Sequence, residues 1–411
     1  MTPYRHLSAC LACGLLAAGA AHAAAQEPTP HEGQDLAPAT REAAPNTDSC
    51  PNATRPPEAR TTSEAAAPDR IPPALPVSYT GPCGVSAPIG FRVDDSVLAS
   101  AWLVADLDSG DVLAMKDPHG RYRPASVIKV LLALVVIDEL PLDKKITVGE
   151  DSAAMEGSAA GIGAGGTYTV NDLLHGLLMA SGNDAAHALA QELGGDEVAL
   201  GKVNALAREL GMEDTRATTY TGLDSAGMSS SAWDLALAYR EAFANPTFAN
   251  IVDTQSYPFP GFGDAEGFEL WNDNKLYLND PDGIGGKTGY TDDANHTFVG
   301  AVNHEGRRLV AVVLDTTVDK ARAWEQAQAL LHESYHLDPG VEVASLRREA
   351  PAPAASETPA APDEEPAVLA AGPDREAFPW LEAAIFAGVL ACAAVAVWLS
   401  RASARKARRR R

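Results

Sequence analysis

Basic residues are scarce along most of this chain. Lysine and arginine number 32 against 55 aspartates and glutamates, for a formal net charge of −23. Seven of those cations crowd into the last eleven residues, so the chain before them carries −30. Nucleic-acid binding depends on neutralising phosphates with basic patches, and this balance excludes it. Cysteine is sparse too. Of five, Cys10 and Cys13 lie in an N-terminal leader and Cys392 in a C-terminal apolar run, which leaves Cys50 and Cys83. One pair in an exported chain suggests a single bridge, worth roughly 3–4 kcal/mol on the loop-entropy model; two free thiols are the alternative. The apolar run Val127 to Ile137 is too short to cross a bilayer, which takes about 20 residues.

What is present falls into segments. Residues 1–25 look like a secretory signal: Arg5 and His6, an Ala/Leu-rich stretch, then the small residues of AHAAA. The string LSAC ending at Cys10 has too few apolar residues before it for a lipoprotein box. Residues 26–76 are rich in Pro, Ala, Thr, Glu and Asp, cannot bury enough surface to offset chain entropy, and read as a disordered spacer. Globular sequence runs over 77–337, followed by a Pro/Ala linker at 338–378. Residues 379–400 are apolar apart from Glu382, and the basic tail 401–411 follows. That order fits a single membrane-spanning helix with a cytoplasmic C-terminus and the globular part outside the cell.

Within 77–337, Trp102 to Leu107 and Val112 to Met115 flank the turn DSGD as a hairpin. A buried helix follows Pro124, and two more flank Ser181-Gly182-Asn183. Helices continue at Gly201 to Leu210 and Ser231 to Ala244. Strands are expected at Gly286 to Thr291, Thr297 to Val302 and Leu309 to Leu314, then a helix from about Asp319 to His336. Strands at both ends with helices inserted between them predict one α+β domain, its antiparallel β-sheet shared by the first hairpin and the last three strands, with helices on both sides and a helical subdomain.

Lys129 interrupts the apolar run RPASVIKVLLALVVI, three residues after Ser126. At that spacing both side chains share a helix face. A buried ammonium is costly unless it is paired or loses its proton, and a neutral lysine beside a hydroxyl is a base beside a nucleophile. The bland reading is an N-cap serine and a lysine that reaches solvent along its stem; the tail repeats the pattern at Ser403 and Lys406. Two further triplets each occur once: Ser181-Gly182-Asn183 and Lys287-Thr288-Gly289.

With these three motifs in order, the sequence resembles the low-molecular-weight penicillin-binding proteins, serine-type D-alanyl-D-alanine carboxypeptidases. The blocks RPASVIKV, YTVNDLLHGLLMASGNDAAHALA, TGLDSAGMSSSAWDLALAY and GGKTGYTDDANHTFVGAVNHEGRRLVAVVL carry the likeness over about Ala101 to His336. The resemblance implies Ser126 as nucleophile, Lys129 as general base, Lys287 as the second cation that depresses its pKa, and Ser181 as proton relay. It further implies that Asn183 holds the substrate amide, that Gly289 lets β-type pairing approach, and that the N–H groups of Ser126 and Tyr290 form an oxyanion hole. Thr288 and Arg322 would take the terminal carboxylate, and Asp184 would orient its loop. The implied substrate is a peptidoglycan stem peptide, β-lactams are implied as covalent inhibitors, and no cofactor is called for. A second β-domain and an amphipathic anchor, familiar in that family, are replaced here by a linker and the apolar span.

Rival readings have sequence handles. A serine β-lactamase would add E-x-x-L-N after the second motif, and no such string lies between Asn183 and Lys287. Endopeptidase or transpeptidase action on the same fold stays open, as does a catalytically retired wall-binding protein. His332-Glu333-Ser334-Tyr335-His336 is a literal H-E-x-x-H, but Asp-Pro-Gly closes the helix and no third histidine follows, so no metal is expected.

Overall fold

The computed structural model of the chain describes residues 36–65, 72–338 and 340–347. The expected signal at 1–25, the apolar span at 379–400 and the basic tail at 401–411 lie outside the described residues. Among the described residues, no helix is long and apolar enough to cross a membrane.

In chain order the elements begin with β1 (Val85–Ser86), β2 (Ala101–Asp106), β3 (Asp111–Lys116), α1 (Lys129–Glu139), β4 (Lys145–Thr147), α2 (Glu150–Ala153) and β5 (Thr167–Thr169). A helical run follows: α3 (Val170–Met179), α4 (Asn183–Glu192), α5 (Asp196–Leu210), α6 (Ala232–Ala244) and α7 (Pro246–Val252). The chain closes with β6 (Ser256–Phe259), β7 (Phe268–Trp271), α8 (Lys275–Asn279), β8 (Gly283–Thr291), β9 (Asn295–His304), β10 (Arg307–Thr316), α9 (Ala323–Ser334) and β11 (Ala344–Ser345). The main sheet is antiparallel in the order β1-β3-β2-β10-β9-β8, with β11 also on β3. The first hairpin and the last three long strands therefore share one sheet, as their positions predicted.

Alternation along the strands builds two cores. On β2, Ala101, Leu103 and Ala105 face the helical layer, while Trp102 and Val104 face the layer that contains α9. On β10, Val310, Val312 and Leu314 point one way and Leu309, Ala311 and Val313 the other. Helix α1 is buried from Lys129 through Val136 and forms the axis of the helical layer. Local signals set the helix starts. Thr169 and Asp172 form a capping box on α3, and Ser231 caps α6 through Asp234 N–H. The hairpins β4–β5 and β6–β7 had no sequence signal strong enough to read, since each strand has only three or four residues.

One expectation differs from the structure. The spacer 26–76 was read as disordered, yet its described residues, 36–65 and 72–76, lie along the domain as a strap with no long helix or strand. Cys50 and Cys83 are joined by a disulfide. Arg41 donates to Asp315 Oδ1 and Oδ2, both at 2.8 Å. Arg121 and Arg123, only 1% and 3% exposed, send their guanidinium N–H groups to strap carbonyls at Thr54, Leu75, Pro76 and Pro57. Composition registered the strap's lack of apolar residues. It could not register that buried charges on the domain need the strap's oxygens as partners.

Candidate active site

The nucleophile segment does not start as a regular α-helix. Ala125–Ile128 forms a 3-10 turn, and α1 begins at Lys129, whose N–H donates to Ser126 O. In a 3-10 turn, side chains at i and i+3 eclipse. Ser126 and Lys129 are therefore stacked one above the other, with Lys129 Nζ donating to Ser126 Oγ at 2.7 Å. Nζ also donates to Thr221 O at 2.7 Å. Ala125, just before the serine, has φ +49°, a conformation that is strained for a residue with a Cβ. Two glycines make room for this turn. A Cβ on Gly222 would fall 2.0 Å from Ala125 O, and one on Gly289 would fall 2.3 Å from Thr297 Oγ1 and 3.0 Å from Ser126 N. Thr297 Oγ1 donates to Pro124 O at 2.8 Å, and Tyr239 Oη donates to Val127 O at 3.0 Å. The turn is thus held by hydrogen bonds from the sheet and from α6.

Lys129 and Lys287 are both completely buried. Burial pushes the Lys129 amine well below the ordinary lysine value, the charge of Lys287 pushes it further, and Asp273 and Asp184 oppose the shift. Burial also lowers Lys287, against the pull of Asp273. A low pKa is what lets Lys129 accept a proton from the hydroxyl 2.7 Å away. Asp273 is the balancing charge. Its Oδ2 accepts from Thr288 Oγ1 at 2.8 Å, while Oδ1 is buried without a partner among the described residues.

The second motif forms the loop between α3 and α4. Ser181 has φ +60°, so it too carries backbone strain. Just before the loop, the last residue of α3 accepts at Met179 O from Asp273 N–H at 2.9 Å. Asn183 donates from N to Ser158 O and from Nδ2 to Glu156 O, both at 2.6 Å, while its buried Oδ1 has no partner among the described residues. That oxygen is a spare acceptor of the kind a substrate amide needs. Asp184 accepts from the N–H groups of Ala160, Gly161 and Ile162 at 2.8, 2.9 and 3.2 Å, which fixes the opposite loop against α4.

Thr288, Gly289 and Tyr290 follow Lys287 along β8, the edge strand of the main sheet. Tyr290 is 44% exposed, and its ring lies 4.7 Å from that of His296. Burial lowers the His296 pKa, and the charge of Arg322 lowers it further. Arg322 itself stands exposed at the start of α9, its N–H on Glu325 Oε2 at 2.6 Å.

The structure thus brings Ser126 and Lys129 into contact and Lys287 within electrostatic reach. Three participants had no role assigned from sequence: Thr221 and Gly222, which open the quoted block TGLDSAGMSSSAWDLALAY but act through a backbone oxygen and a missing side chain, and Asp273, an acid outside any motif. The H-E-x-x-H string is occupied otherwise. His332 Nε2 lies 2.7 Å from Asp280 Oδ2, and Glu333 Oε1 accepts from Arg92 N–H at 2.9 Å.

Comparison with known proteins bears on this geometry. Residues 88–318 match the family model described as D-alanyl-D-alanine carboxypeptidase. The D-alanyl-D-alanine carboxypeptidase DacB2 of Mycobacterium tuberculosis is 44% identical over 252 residues, which is 60% of this chain and 86% of that protein. DacF of Bacillus subtilis, also named a D-alanyl-D-alanine carboxypeptidase, is 32% identical over 230 residues, 54% of this chain and 59% of that protein. Among solved structures, a D-alanyl-D-alanine carboxypeptidase from Mycobacterium tuberculosis superposes with a TM-score of 0.61 at 43% identity, covering 63% of this chain and 99% of that one. A Streptomyces DD-transpeptidase gives a TM-score of 0.57 at 27% identity, covering 60% of this chain and all of that one. On the match over 88–318, which carries all three motifs, the chain belongs to the D-alanyl-D-alanine carboxypeptidase family of serine peptidases.

Proposed function

We propose that this protein removes the terminal D-alanine from peptidoglycan stem peptides through an acyl-enzyme on Ser126. The observation that carries the reading is the 2.7 Å contact between Ser126 Oγ and a fully buried Lys129 amine. Lys129 takes the hydroxyl proton as Oγ bonds to the carbonyl carbon between the two D-alanines. The oxyanion lies against the N–H groups of Ser126 and Tyr290, a term worth about 3–4 kcal/mol per donor. When the peptide C–N bond breaks, Ser181 passes a proton to the departing amine, and water then hydrolyses the ester. Thr288 and Arg322 hold the substrate's terminal carboxylate, and Asn183 Oδ1 accepts from a substrate N–H. A β-lactam enters the same attack and stays as the acyl ester.

Export supports the setting. The leader at 1–25, the apolar span with its basic tail and the Cys50–Cys83 bridge all fit a domain outside the cell, anchored by one C-terminal helix. Incubation with a pentapeptide ending in two D-alanines, followed by mass analysis, should release one D-alanine. A fluorescent penicillin should label the wild type and not Ser126→Ala. Labelling that survives in the alanine variant removes Ser126 from the role.

A further inference from the structure

The strap, residues 36–65 and 72–76, lies wholly outside the span 88–318 that matches the family model. Its contacts nevertheless fall on the pieces of chain that build the site. Glu64 joins two of them. Its Oε1 accepts from Arg123 Nη2 at 2.7 Å, and its Oε2 accepts from Gly227 N–H at 3.2 Å. Arg123 leads within three residues to Ser126. Gly227 lies in the loop whose Thr221 oxygen receives Lys129 and whose Gly222 accommodates Ala125 O.

The next strap residues secure the neighbouring turn. Asp293, between β8 and β9, accepts at Oδ1 from Arg60 N–H at 2.6 Å and Thr61 N–H at 2.8 Å. Its Oδ2 accepts from Thr61 Oγ1 at 2.6 Å and from Ser63 Oγ. The same turn reaches back to the 221–227 loop, where Asp224 accepts from Thr291 Oγ1 at 2.6 Å and from Asp293 N–H at 3.1 Å. Strap, β8–β9 turn and loop thus close one ring of hydrogen bonds around the segment that carries the serine.

Among the described residues, Lys129 Nζ donates to two oxygens, Ser126 Oγ and Thr221 O, both at 2.7 Å. The direction in which the amine presents itself to the hydroxyl therefore depends on where Thr221 O stands. We propose that Glu64 is a positioning residue for acylation: by bridging Arg123 and Gly227 it fixes the loop that aims Lys129 at Ser126, and it makes the strap a working part of the site. The proposal rests on the acyl-enzyme reading above. Arg123 is only 3% exposed, so removing the carboxylate leaves a buried guanidinium short of a partner and lowers stability, whereas a misplacement of about 1 Å in a catalytic group costs up to about 100-fold in rate.

The test uses the full chain and a chromogenic penicillin, with stopped-flow resolution of the saturating acylation rate from the initial binding constant. Glu64→Ala should lower the saturating rate about 10-fold while the binding constant stays near wild type. Glu64→Gln, which keeps an acceptor oxygen for Arg123 or Gly227, should recover part of the loss. An unchanged saturating rate in Glu64→Ala overturns the proposal. So does a loss that Glu64→Gln reproduces in full. A wild-type chain that forms no adduct fails at an earlier point and takes down the acyl-enzyme reading itself.

Discussion

The nucleophile turn with α1 and the N-terminal strap are both packed against the sheet, yet they are held by opposite means. Helix α1 is enclosed by Val, Leu and Ile side chains from the surrounding helices and strands, and buries its lysine among them. The strap has no long element of secondary structure, and its contacts described above are mainly hydrogen bonds to Asp315, Asp293, Arg121 and Arg123, with one disulfide. The first kind of packing is driven by apolar area and resists local change. The second is a set of separate polar contacts, each of which can be removed singly. The site needs both: burial makes Lys129 a base, and polar contacts determine where the pieces around it stand.

The comparison is tested first where it is sharpest. Lys129→Ala removes the base and should slow penicillin acylation by about 10²–10⁴-fold, read by stopped-flow with the fold checked by circular dichroism. Gly222→Ala would set a Cβ 2.0 Å from Ala125 O at a residue with φ +85°. It should cost about 100-fold in the same rate by displacing the serine turn. A rate near wild type would show that the turn tolerates displacement.

Stability should then separate the two regions. Leu131→Ala, inside α1, should lower unfolding free energy by about 2–5 kcal/mol in urea titrations. Arg41→Ala leaves Asp315 with Ser100 and Asn295 as side-chain partners, and should cost about 1–3 kcal/mol. Equal costs would erase the distinction. The smallest effect is with acid. Burial alone would raise the Asp293 pKa, but hydrogen bonds from Ser63, Thr61 and Arg60 outweigh it and hold the value below the usual carboxylate range. A depressed carboxylate contributes fully above its unfolded value of about 4 and loses that contribution as pH falls through the folded value. The protection of amides in residues 60–64, taken against the intrinsic exchange rate at each pH, should therefore fall below about pH 4, ahead of protection in α1.

The same contrast explains what could be read from sequence. The motif serines and lysines were legible because three triplets stand in one order along the chain, and the strands because burial on both faces leaves short apolar runs such as Leu309 to Leu314 between turn signals. Ser231 opened the expected helix Ser231 to Ala244, and in the structure its side chain caps that helix. The strap's order is not legible in its composition, which measures apolar area, because its anchors are buried charges far along the chain. Arg41 finds Asp315 across 274 residues, a pairing no local pattern encodes. Thr221 acts through a carbonyl that every residue possesses, so side-chain identity could not single it out. Asp273 reads as an ordinary loop acid until the fold sets it beside two buried amines. The start of α1 as a 3-10 turn likewise follows from close approach of Gly222 and Gly289, which only tertiary contact reveals.

Direct titration of the Lys129 amine addresses the central claim. Nitrogen-15 lysine labelling, with Lys129→Arg to assign the signal, would follow its protonation between neutral pH and pH 11 in the wild type and in Lys287→Gln. Lys129 should lose its proton well below the ordinary lysine value of 10.5, and loss of the Lys287 charge should move that transition upward. A Lys129 that stays charged to 10.5 in the wild type, or a transition unmoved by Lys287→Gln, would contradict the account.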